Sequence, residues 1–225
     1  MSFCALAATV GGRVELVDSR DPQVRRHRNF SGVVVWLDPV HGDPPRTEPR
    51  TAKMLQQGKR FVPHILAIPV GTTVEFPNLD PIFHNAFSNF SGQPFDTGLY
   101  PPGMTQKVTF RRDGVVRVFC NIHSTMSAVI VVTKTPYAAV TDRRGDFQIE
   151  GVPAGDYQVR VFHERATEES LRALERKITV GGETIGLPLI RVSESGYLEV
   201  PHKNKYGRDY PEPPPDHMVY PGVRR

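Results

Sequence analysis

Short runs of β-branched and alternating apolar residues, each closed off by glycine, proline, asparagine or aspartate, fill most of this chain and predict strands. Residues 12–17 and 32–37 are the first two, the second reading Gly32-Val33-Val34-Val35-Trp36-Leu37. Residues 39–51 hold four prolines and predict a loop. A second set of strands is expected at 65–70, 72–76, 106–110, 115–119 and 128–133, with turns at Gly71, Pro77, Pro101-Pro102-Gly103 and Asp113-Gly114. A third β-rich stretch covers 137–189. Its turns, Asp142-Arg143-Arg144-Gly145 and Pro153-Ala154-Gly155-Asp156, precede strands at 146–149 and 157–161. Helical spacing is rare. Residues 51–58 predict a short helix, with Thr51 as cap and Met54 and Leu55 as apolar contacts; residues 167–177 predict another, capped by Thr167, with Leu171, Leu174 and Ile178 three and four apart. The expected class is all-β, as antiparallel sandwiches with short helices.

Composition agrees with many short strands joined by turns. Of 225 residues, 19 are glycine and 21 proline, while 39% are hydrophobic, which excludes a fibrous or wholly disordered chain. Length allows one large or two small domains. The formal charge of +4 is modest, and its basic residues are scattered rather than laid along a nucleic-acid motif, so no nucleic-acid partner is expected. No run approaches the roughly 18 apolar residues of a membrane span. Cys4 and Cys120 are the only cysteines, which argues against a disulfide framework. The opening residues 2–10 are apolar and small, like the end of a secretory signal without its basic region, or a first strand.

The chemistry concentrates in Cys120-Asn121-Ile122-His123-Ser124-Thr125-Met126, with His84-Asn85 lying upstream. Thiolate binds cuprous and cupric ions strongly, imidazole tolerates both, and a weak axial thioether tunes the potential without demanding a square plane. Cys120 alone reads more readily as a small buried hydrophobe. His123 and Met126 at offsets of three and six, with His84 elsewhere, turn the reading toward a mononuclear type 1 (blue) copper site. Phe83, Phe87 and Phe119 flank these residues and are expected to exclude water or simply to pack the core. His64 is open to a structural role, a partner contact or the copper shell. His27, His41, His163, His202 and His217 lack nearby ligand companions.

With those residues in place, the chain resembles the cupredoxins, especially the plastocyanin and amicyanin branch. The carriers are the Cys120-x-x-His123-x-x-Met126 spacing and Phe76-Pro77-Asn78 leading to His84-Asn85, within about residues 60–133. The resemblance implies a Greek-key copper-binding sandwich over residues 53–133, usually exported or periplasmic, that passes single electrons. It implies His84, Cys120 and His123 as strong copper ligands, Met126 as the axial one, and Asn85 tying the two ligand-bearing loops together. Ser124 stands where amicyanin-like loops often carry proline. A redox protein, such as a cytochrome or a copper or haem enzyme, is the expected partner, and no enzymatic activity of the chain itself is expected.

A second resemblance lies outside that region. Residues 139–157, reading Ala139-Val140-Thr141-Asp142-x-x-Gly145-x-Phe147-x-Ile149-x-x-Val152-Pro153-x-Gly155-x-Tyr157, are similar to carboxypeptidase-regulatory or transthyretin-like β-sandwiches. Such modules begin with a Gly-x-Val strand and a Val-rich strand, which Gly12-Arg13-Val14 and Val33-Val34-Val35 supply. The expected organisation is therefore a smaller accessory sandwich split into 12–45 and 134–194, with the copper domain inserted. Residues 195–225 are expected to form a separate tail. Six prolines lie in residues 201–225, and Tyr206, Tyr210 and Tyr220 favour a docked tail over a mobile one. The competing functions are a copper storage, sensing or delivery module, a zinc site, a Cys–His nucleophile, and a purely structural sandwich.

Overall fold

Valine- and isoleucine-rich segments gain most by lying in pleated sheets with one or both faces covered, and pairing between such segments builds this fold. The computed structural model describes residues 7–45, 48–89, 92–198 and 202–210; among them it has strands throughout and two short helices, an all-β fold. Its contacts divide the chain into two units. One is Met1–Thr47 with Thr133–Glu199, the other Glu48–Val132 with Val200–Arg225. The described tail residues 202–210 group with the second unit.

In the first unit, Ala8–Val17 pairs antiparallel with Asp146–Val152 and parallel with Ile185–Gly186 and Ile190–Ser193. A second sheet runs Ala138–Val140, Val34–Pro39, Gly155–Phe162, Arg176–Val180. Val10, Val14 and Leu16 from the first sheet and Val35, Leu37, Val159 and Val161 from the second share one buried cluster. Each fully buried side chain of this kind contributes about 1.5–3 kcal/mol. Gly145 closes the turn at φ +84°, and a Cβ there would collide with the Val14 carbonyl oxygen, so only glycine fits.

The second unit packs a five-stranded sheet, in the order Ile65–Pro69, Ser127–Thr133, Gly114–Phe119, Phe87–Ser88, Phe95–Asp96, with a three-stranded one of Thr105–Thr109, Thr73–Pro77 and Thr51–Lys53. Phe76, Val74, Phe110, Val116, Val118 and Ile130 fill its core. Cys120 and Met126 belong to that same buried cluster.

Both expected helices are corrected. Residues 51–58 are extended: Thr51–Lys53 pairs parallel with Thr73–Pro77, and Leu55–Gln56 pairs with Phe61–Val62. Met54 and Gln56 are both fully buried. A spacing of two puts them on one face of a strand but on nearly opposite faces of a helix, so burial decides for the strand. The second helix spans only Glu168–Arg172, with the Thr167 hydroxyl accepting from the Ser170 N–H. Ile178 lies instead in Arg176–Val180, opposite Tyr157 in a sheet. One helix went unforeseen: Pro22–His27, with Asp21 as N-cap and proline in its first turn.

A buried polar knot fastens the end of the first unit's chain. Glu194 accepts from His163 Nε2 at 2.9 Å, from Arg165 at 3.0 Å and from the Ser19 hydroxyl at 2.6 Å. Burial pushes its carboxyl up, but those hydrogen bonds outweigh it and hold the pKa at about 2, below the ordinary 4.5. A depressed folded-state pKa gives stability that is full above the unfolded value and is lost as pH falls through the folded one. Between about pH 4.5 and 2 the wild type should therefore lose on the order of 2–3 kcal/mol from this group. Glu194→Gln should flatten that part of the profile. Trp36, the single tryptophan, lies in the Val34–Pro39 strand of the same unit, so urea unfolding followed by its fluorescence reads the effect; equal slopes in both proteins would refute it.

Candidate metal centre

The loop after Thr73–Pro77 is shaped by its own polar side chains. Asn78 Oδ1 accepts from the Asp80 N–H, and Asn78 Nδ2 donates to the Ile82 and Tyr100 carbonyls. His84 then exchanges backbone hydrogen bonds with Tyr100, at 2.9 and 3.3 Å. Tyr100 is itself anchored, buried, with its hydroxyl donating to the Phe76 carbonyl at 2.8 Å. The His84 ring is fully buried, and its Nε2 faces the Asp80 carboxylate at 2.8 Å. Asp80 is fixed in turn by the Gly58 and Lys59 N–H groups at 2.6 and 2.8 Å. With Nε2 committed outward, Nδ1 is left facing inward.

Cys120 follows the last residue of Gly114–Phe119, a strand paired along its length with Ser127–Thr133. Seven residues join the two strands at this end. The Cys120 N–H donates to the Met126 carbonyl and the Met126 N–H to the His123 carbonyl, both at 3.1 Å, which closes the loop tightly. Cys120 and Met126 are fully buried, His123 half-buried, and Ser124 and Thr125 exposed. Asn85, beside His84, reaches across: its side-chain oxygen accepts from the Asn121 N–H at 2.7 Å.

Three donors meet where the loops touch. Cys120 Sγ is 3.7 Å from His84 Nδ1 and 3.7 Å from His123 Nδ1, and all three ligand atoms lie within 4.8 Å of one another. A metal–sulfur bond of about 2.3 Å and a metal–nitrogen bond of about 2.0 Å, opening at about 110–120°, span about 3.5–3.7 Å. The spacing fits one ion. Burial pushes the Cys120 thiol up, but hydrogen bonds from His123, His84 and the Asn85 and Ile122 N–H groups overcome it and bring the pKa from 9.0 down to about 5. Burial likewise acts to lower His84, yet its contacts with Cys120 and Asp80 raise it above the ordinary value. The metal-free site therefore favours a thiolate, the form a metal takes up.

The sequence-derived candidates separate clearly. His84, Cys120 and His123 converge; Asn85 lies between the loops; Met126 is buried in the cluster that holds Cys120. Phe87 and Phe119 are buried, with ring centroids 5.9 Å apart, whereas Phe83 is 42% exposed and does not shield the site. Phe83 lies in the loop just before the buried His84, and it points out. His64 is exposed, with Nδ1 3.0 Å from the Ser127 carbonyl oxygen, outside the donor cluster. His163 belongs to the Glu194 knot. His217 and Tyr220 lie outside the described residues. Two contributors had no clear signal, Asp80, four residues before His84, and His202; Tyr210 favoured a docked tail, but its partner at Cys120 is far away in the chain.

No protein-family model matches the chain, and no curated protein matches it. Solved structures similar to it include a novel purple cupredoxin from Nitrosopumilus maritimus, 26% identical over 36% of this chain and 99% of that one, TM-score 0.34. A reduced point mutant of amicyanin is 19% identical over 37% of this chain and 82% of that one, TM-score 0.35. The Cu-containing nitrite reductase (NirK) from Thermus scotoductus SA-01 is 29% identical over 53% of this chain and 28% of that one, TM-score 0.36. The overlap is partial, and what the site can do follows from its own donors.

Asn85→Ala should leave the Asn121 N–H without its acceptor and destabilise the metal-free protein by about 1–3 kcal/mol. Urea midpoints of the two proteins check this, and an unchanged midpoint would show that the loops hold without the bond.

Proposed function

We propose that this chain is a mononuclear type 1 copper protein that passes single electrons between redox partners. The observation that carries it is the meeting of the Cys120 sulfur with two imidazole Nδ1 atoms, each 3.7 Å from it, Cys120 and His84 being buried and His123 half-buried. His84, Cys120 and His123 would hold the ion, and Met126, buried in the same core cluster as Cys120, would supply a weak thioether. A copper ion held there supplies a one-electron couple whose two oxidation states accept the same ligands. The chain's own residues do the rest. Asp80 fixes the His84 ring, Asn85 holds the two loops together, and the core around Cys120 keeps out water, which tunes the potential.

The site suits a carrier better than an enzyme. Cys120 and His84 are wholly buried and only the His123 side is partly open, so an electron has a way through where a substrate has no berth. A Cys–His nucleophile would need the sulfur accessible. Leu79, Phe83, Leu99 and Met104 are exposed on segments hydrogen-bonded to one another around His84, and such apolar side chains favour brief docking of a redox protein. Among the described residues no helix is long and apolar enough to cross a membrane. Export is the compartment that the cupredoxin resemblance favours.

The other unit completes the proposal as a transthyretin-like accessory sandwich with the copper unit inserted into it. Its support is strand pairing: Val34–Pro39 pairs with Ala138–Val140 and Gly155–Phe162, across the whole interval that carries the metal ligands. Its role is positioning or protein contact.

Copper added to the metal-free protein should produce an intense visible thiolate-to-copper absorption, with the narrow copper hyperfine splitting of a thiolate-bound ion in electron paramagnetic resonance. Cys120→Ser should abolish the absorption. Its absence from the wild type, or its survival in the variant, would reject the assignment. Reversible oxidation and reduction then separates a carrier from a delivery module, which would give up its copper.

A further inference from the structure

The 120–126 loop contains no proline, and its internal backbone hydrogen bonds run from Cys120 to Met126 and from Met126 to His123. Three of its other polar groups are met by the C-terminal segment. The Tyr210 hydroxyl donates to the Cys120 carbonyl at 2.8 Å. The Lys205 N–H donates to the Asn121 side-chain oxygen at 3.0 Å. His202 Nε2 donates to the Ser124 carbonyl at 2.7 Å, while the imidazole stacks on Phe119, the residue before Cys120, with ring centroids 4.0 Å apart. His202 and Tyr210 also touch each other, Nδ1 to hydroxyl at 3.2 Å.

These contacts close a ring. Asn121 donates its N–H to Asn85; Asn85 donates its side-chain amide to Asp96 at 3.2 Å; Lys205 Nζ pairs with Asp96 at 2.7 Å; and the Lys205 N–H returns to Asn121. Four segments of the chain meet in that circuit, including both loops that carry metal-site donors. Asn89 adds a bond from its side chain to the Lys205 carbonyl at 3.2 Å. A terminal segment that merely lay on the surface would not supply donors to three of the loop's first five residues.

We propose that residues 202–210 are a built-in strap of the metal site, with Tyr210, His202 and Lys205 acting as positioning residues that hold the 120–126 loop in its ligating form. That this loop ligates copper rests on the function proposed above; that the strap restrains it does not. A restrained loop opens rarely, so the buried Cys120 thiol should be slow to react in the metal-free protein.

The test uses the full chain with Tyr210→Phe, which removes one hydroxyl, and His202→Phe, which keeps an aromatic ring against Phe119 but loses the bond to Ser124. Alkylation of Cys120 by iodoacetamide in the metal-free protein is followed by peptide mass spectrometry, which resolves it from Cys4. Each variant should react about fivefold faster than wild type, the factor of one lost hydrogen bond, and the double variant on the order of tenfold or more faster. After copper loading, the thiolate-to-copper absorption of both variants should move in wavelength, which a general loss of stability would not produce. Wild-type alkylation rates and an unmoved absorption in both variants would overturn the strap. A wild type that forms no such absorption would overturn the copper assignment, while the alkylation rates would still decide the strap.

Discussion

The hydrogen bond from the Asn121 N–H to the Asn85 side chain, 2.7 Å long, joins two loops 36 residues apart in the chain, and the donor cluster depends on it. Each loop is rigid for its own reasons: the first is stitched by Asn78, Asp80 and the Tyr100 pairing, the second by the strands that end just before Cys120 and begin just after Met126. Rigidity within each does not set the distance between them. A rotation of one sheet edge by a few degrees would move a donor atom by an ångström and carry it out of bonding range of a shared ion. The Asn85 bridge removes that freedom. It also leaves the Asn85 N–H directed at the Cys120 sulfur, so one residue both aligns the loops and stabilises the thiolate.

The electrostatics follow from the same closeness. A thiol in a dry core should resist ionisation, yet two imidazoles and two backbone N–H groups lie against this one, and their hydrogen bonds win over desolvation. Asp80 makes this possible by taking the far nitrogen of His84, and it is free to do so because Gly58 and Lys59 share its charge. The chain of dependence runs outward from sulfur to imidazole to carboxylate to a turn of backbone. Polar groups buried in such a chain are tolerable because each has a partner; removing one would strand the next.

Alternation made the strands legible, and the Cys-x-x-His spacing made the donor-bearing loop legible, since both are local. The second histidine was legible only by chemistry, because nothing local in His84-Asn85 says which loop it will face. What the sequence could not reveal was long-range. Residues 51–58 carry respectable helix signals, and only the neighbouring Thr73–Pro77 strand, offering an edge to pair with, makes extension better. Residues 173–178 continue an apolar helical spacing but have a strand edge at Gly155–Phe162 to complete. Asp80 looked like one more loop aspartate. The tail looked like proline-rich chain, and the partners of Tyr210 and His202 lie 90 and 78 residues away, beyond any local pattern.

An electron carrier gains from a site whose shape is settled before the metal arrives. A donor set that had to be gathered by the ion would relax differently around each charge state, and every transfer would then wait for the protein to move. Here a core that buries Cys120 and a polar circuit around its loop hold sulfur and both nitrogens close together. Zinc could bind the same three atoms, but a zinc site would gain nothing from a methionine thioether, and a hydrolytic one would need an open position for water. The half-exposed His123 offers an edge rather than a vacancy. Two imidazoles, a dry sulfur and one half-buried edge near the surface are the features on which the proposed electron-carrier role rests.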